Sequence, residues 1–94
     1  MLLKAGVDIS RLNRPMRRAL NILERLYPDF IITSTYEGSH SPASLHYADD
    51  AIDVRPVTAK DKRLARDLLR EKLGPDFDVI RERSHFHIEY DPKG

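Results

Sequence analysis

The segment FDVIRERSHFHIEY, residues 77–90, narrows the choice of fold more than any other stretch of the chain. It reads as two strands, FDVIRE and HFHIEY, joined by a tight connection near Arg83 and Ser84. In the second run Phe86, Ile88 and Tyr90 fall on one face and His85, His87 and Glu89 on the other, because strand side chains alternate. An apolar strand face must be covered, so the remainder of the chain has to supply a cover.

Two helical patterns meet that need. Met16, Ala19, Leu20, Leu23, Leu26 and Tyr27 recur at three- and four-residue steps, which predicts a helix over about 13–27 that ends at Pro28. Pro15 is tolerated because first-turn amides lack an intrahelical partner, and Asn13 is the expected N-cap. A second helix is expected to be capped by Thr58, with Leu64, Ala65, Leu68, Leu69 and Leu73 as its core stripe and Gly74–Pro75 as its stop. Two further strands are FIITST and AIDVRP. In the latter Ile52 and Val54 point one way and Ala51 and Asp53 the other.

Between those strands lies YEGSHSPASLHYADD, which has neither period and is the longest irregular stretch of the protein. Loops of that length in compact domains are more often functional than accidental. The order α, β, loop, β, α, β, β predicts an α+β domain: a small antiparallel-rich sheet with two helices packed on one side. A chain of 94 residues has room for one modest core, so residues 1–94 are expected to form a single domain.

Sixteen Lys and Arg against 15 Asp and Glu leave a formal charge of +1, which gives no net-charge case for nucleic-acid binding. The basic clusters RPMRR and KDKRLAR fall on the two helices and read as solvated faces. No apolar run approaches the roughly 20 residues of a membrane span, and MLLKAGVDIS lacks a secretory h-region, so a soluble chain without a signal peptide is expected. The absence of cysteine removes disulfides and thiolate ligands. Any metal must then be held by histidine and carboxylate.

Three groups ask to be explained together: His46 at the end of the long loop, Asp53 on a strand, and the His85/His87 pair. A catalytic zinc commonly takes three protein ligands and leaves a position for water, and imidazole with carboxylate suits it. His46, Asp53 and one histidine of the pair form such a set. Glu82 stands three residues before His85, and a carboxylate there can take a proton from a zinc-acidified water and pass it to a leaving amine, the chemistry of peptide hydrolysis. His40, in the same long loop, is expected to be a loop or substrate-contacting residue rather than a metal ligand.

These residues resemble a known family. SLHYADDAIDVR is similar to the S-x-H-x-x-G-x-A-x-D signature of the zinc D-alanyl-D-alanine carboxypeptidase and L-alanyl-D-glutamate endopeptidase family, and to the zinc segment of the hedgehog amino-terminal domain, which shares that fold. ERSHFHIEYDP resembles the second motif, an acid or histidine followed by His-x-His. Together the motifs span about residues 35–92. The resemblance implies zinc bound by His46, Asp53 and His87, with Glu82 as general base and His85 stabilising the developing oxyanion. Some members use E-x-x-H with that histidine as the ligand, which would select His85 and leave His87 beside it. Ser44 matches the motif serine and is implied to orient substrate or the ligand loop.

The motif glycine is replaced by Asp49, a residue type that tolerates left-handed turns. The implied substrate is a peptidoglycan stem peptide or another D-Ala-containing peptide. Arg55 or Arg81 is expected to pair with a substrate carboxylate. A short chain with neither signal nor wall-binding module would fit a phage or prophage product that acts on the cell wall after lysis. Two rivals stand beside the enzyme: a zinc-binding module of hedgehog-like fold that is catalytically weak or inactive, and a metal-free domain whose histidines are only a polar strand face.

Overall fold

The computed structural model describes residues 1–35, 50–56 and 60–92. The elements run β1 (Leu2–Leu3), α1 (Arg14–Leu26), β2 (Ile31–Ser34), β3 (Ala51–Arg55), α2 (Lys62–Leu73), β4 (Phe77–Arg81) and β5 (Phe86–Tyr90). The five strands form one mixed sheet in the order β1-β2-β3-β5-β4. β1 runs parallel to β2, and the other three pairings are antiparallel. The antiparallel-rich α+β architecture expected from the sequence is therefore present. The sequence reading did not anticipate β1, a two-residue edge strand with exposed side chains, held by backbone bonds from Leu2 N–H to Phe30 O and Lys4 N–H to Ile32 O.

Helix α1 buries Met16, Ala19, Leu20 and Leu23 of the stripe its periodicity predicts, while Leu26 and the C-cap Tyr27 are only partly buried against the core. Pro15 sits in its first turn, where it removes no intrahelical bond. Asn13 occupies the N-cap position by backbone geometry but makes no side-chain cap bond; its Nδ2 instead donates to Asp50 Oδ1 at 2.6 Å. That bond ties the entry of α1 to the residue just before β3.

Helix α2 departs from expectation in two places. Thr58 lies outside the described residues, and the cap is Asp61, whose Oδ1 accepts from Arg63 N at 2.9 Å and Leu64 N at 3.2 Å. Starting there, the helix turns Ala65, Leu69 and Leu73 inward. Leu64 is 65% exposed and Leu68 half-buried, so the core stripe is narrower than the run of leucines suggested. Gly74, with φ 92, ends the helix in a conformation that favours glycine.

Both helices share one core with one face of the sheet, where Ile32, Ile52, Val54, Val79, Phe86 and Ile88 are buried. Burial of side chains of this size is worth roughly 1.5–3 kcal/mol each. Register settles which residues face away. Asp53 pairs with His87 and His87 with Ile80, while Ala51 pairs with Glu89 and Glu89 with Asp78. These residues alternate with the buried set and so occupy the opposite face. Ala51 lies on that face as expected, yet it is fully buried. Among the described residues, no helix is long and apolar enough to cross a membrane.

Candidate functional site

The face turned away from the helices brings the C-terminal sequence pattern and Asp53 together. Asp53 and His87 are directly opposed on neighbouring antiparallel strands, β3 and β5. His87 Nδ1 lies 3.0 Å from Asp53 Oδ1, and His87 Nε2 lies 3.0 Å from Glu89 Oε1. Ionised carboxylates only accept, so an imidazolium donating from both nitrogens satisfies both contacts, whereas neutral imidazole satisfies one. The hydrogen bond with Asp53 is the main cause of a His87 pKa raised above its ordinary 6.5; burial opposes the shift, and the charges of Asp53 and Glu89 reinforce it.

His85 joins from the other end of the same strand face. Its Nε2 lies 3.7 Å from Asp53 Oδ1, and its Nδ1 is 3.2 Å from Ser84 Oγ. Glu82 is exposed, and its N–H donates to His85 O at 2.9 Å. That bond extends the β4–β5 pairing past Arg81 and Phe86, so Glu82 and His85 stand opposite one another across a connection made of Arg83 and Ser84. Directly opposed residues in such a pair have Cβ atoms about 5 Å apart. By register the acid and the two histidines that the sequence singled out therefore fall on the sheet face that carries Asp53.

Two ligand atoms about 2.1 Å from a tetrahedral zinc stand about 3.4 Å apart. The separations of Asp53 Oδ1 from His87 Nδ1, 3.0 Å, and from His85 Nε2, 3.7 Å, bracket that spacing. Carboxylate oxygen and imidazole nitrogen also suit zinc chemically. His46, the expected third ligand, lies outside the described residues, as do His40, Ser44 and Asp49. Of the two candidate arginines, Arg55 follows Asp53 by two positions on β3 and so shares its face. Arg81 pairs with the buried Phe86 and leaves β4 on the helix side.

Sequence reasoning put Glu89 on the correct face but gave it no role. Alternation in HFHIEY was the available signal, because it sets Glu89 beside His87 on one side of the strand. It also missed a carboxylate group: Asp78, Glu89 and Asp91 bring ligand oxygens within 4.8 Å of one another. Exposed acidic groups commonly gather without an ion, and this all-oxygen set suits harder cations than zinc. Compared with known proteins, the chain matches no family model and no curated protein sequence.

Proposed function

We propose that this chain is a zinc-dependent metallopeptidase that hydrolyses a peptide bond in bacterial peptidoglycan stem peptides, as a D,D-carboxypeptidase or an endopeptidase, on a fold of the D-alanyl-D-alanine peptidase and hedgehog type. The observation that carries the reading is the contact of Asp53 with both His87 and His85, at 3.0 and 3.7 Å, from a neighbouring strand. In this reading Asp53 and His87 hold the metal together with His46. His87 is preferred over His85 because it stands directly opposite Asp53 and has its other nitrogen fixed by Glu89, the arrangement that orients a ligating imidazole. When bound, zinc supplies a Lewis acid and an acidified water.

The chain's own residues do the rest. Glu82 accepts a proton at its carboxylate and returns it to the departing amine. His85 donates an N–H to the carbonyl oxygen as that oxygen gains charge. Arg55, on the same face as Asp53, pairs with a substrate carboxylate, joined by Ser44 and His40. Metal analysis of the purified protein tests the premise: about one zinc per chain is expected, lost in a folded His87→Ala variant. Glu82→Gln should keep the zinc and lose hydrolysis of D-Ala-containing peptides by at least about 100-fold. Unchanged turnover in Glu82→Gln would reject Glu82 as the base, and a folded protein that takes up no zinc would reject the reading altogether.

A further inference from the structure

A second feature lies on the other side of the sheet edge. Arg63, Arg66 and Arg70 on α2, with Arg81 and Ile80 on β4, line a groove of about 620 Å³. The spacing of the three helical arginines, i, i+3 and i+7, puts them on one face of α2. The whole chain carries a formal charge of only +1, so four guanidinium groups around one groove are a strong local asymmetry. Among the described residues, Arg66 alone of the four has an acidic partner, Asp67 at 3.3 Å, and Arg70 bonds the backbone.

The donors left free narrow the chemistry. Arg70 spends Nε and Nη2 on Val79 O, at 3.1 and 2.9 Å, and Arg66 spends Nε on Asp67. The side-on fork that a planar carboxylate would use is thus fully engaged on Arg70 and half engaged on Arg66, so these two offer an incoming oxyanion separate N–H donors rather than that paired fork. A tetrahedral phosphate can instead gather single N–H donors from several directions and several arginines. Four cations along one groove also exceed what one anion needs. Among the described residues no aromatic side chain lines the groove, so they offer bases nothing to stack on.

We propose that the α2–β4 groove is a docking surface for a linear polymer of repeated phosphate groups, recognised through the phosphates alone. This goes beyond the peptidase reading and does not depend on metal at the Asp53 site. The test is equilibrium binding of long-chain polyphosphate to the full chain, followed against salt. Saturable binding is expected, at least 100-fold tighter than that of inorganic phosphate. An Arg63→Gln/Arg66→Gln variant should bind at least tenfold more weakly, with a salt slope shallower by about 1.5, since each lost phosphate contact removes roughly 0.7–0.9. Lys4→Gln, at the opposite sheet edge, should bind as the parent does. Equal affinity in the double variant, with its fold verified by circular dichroism, would overturn the proposal. So would poly-glutamate of matched charge binding as tightly as polyphosphate, or a single-stranded oligonucleotide of matched charge binding more tightly.

Discussion

At the scale of single residues, His87 is the pivot of the polar face. It is held between Asp53 and Glu89, and its pKa is raised chiefly by the Asp53 hydrogen bond. A group whose folded pKa is raised lends stability that is fully present below its unfolded value and is lost as pH rises through the folded value. The metal-free protein should therefore lose stability as pH climbs from about 6.5 through the raised value, and Asp53→Asn should flatten that decline. Urea denaturation at a series of pH values in a chelator checks both. The His-x-His-x-Glu alternation was legible in the sequence because strand period is a local property. The Asp53–His87 bond was not, because it joins residues 34 apart through a register that only the paired strands fix.

At the scale of elements, α2 shows what composition conceals. Its leucines invite a broad apolar stripe, but packing turns only Ala65, Leu69 and Leu73 fully inward and leaves Leu64 in solvent. Replacing Asp61 with Ala should cost about 1 kcal/mol, and with Asn much less. Leu64→Ala should change stability by no more than about 0.5 kcal/mol. Leu69→Ala, at a fully buried position, should cost about 2–5 kcal/mol. Equilibrium unfolding of the four variants ranks them directly. The existence of α1, α2 and β2–β5 was legible because each carries a strong period or a clear stop, but the start of α2 was not, since Asp61 caps it where Thr58 was expected. β1 has two exposed leucines and no pattern, and arises from backbone bonding at an edge that β2 already offers.

At the scale of the whole molecule, β3 and β5 are interior strands of the sheet, so their inward residues anchor the core and their outward ones carry Asp53, His85 and His87. A ligand gripped by both strands ties site occupancy to global stability. Zinc at about 100 times its dissociation constant should stabilise the parent by about 2.7 kcal/mol, and a chelator or His87→Ala should abolish the gain. Thermal melts with and without zinc measure it.

The strand order also fixes a sequence of events in time. The β4–β5 hairpin that opposes Glu82 to His85 spans a two-residue connection and can close locally, on the microsecond scale typical of hairpins. The meeting of Asp53 with His87 must wait for a long excursion of chain, which carries α2 and the hairpin, to return β5 to β3. Half of the polar face can thus assemble early, and the complete one exists only when the chain has finished folding.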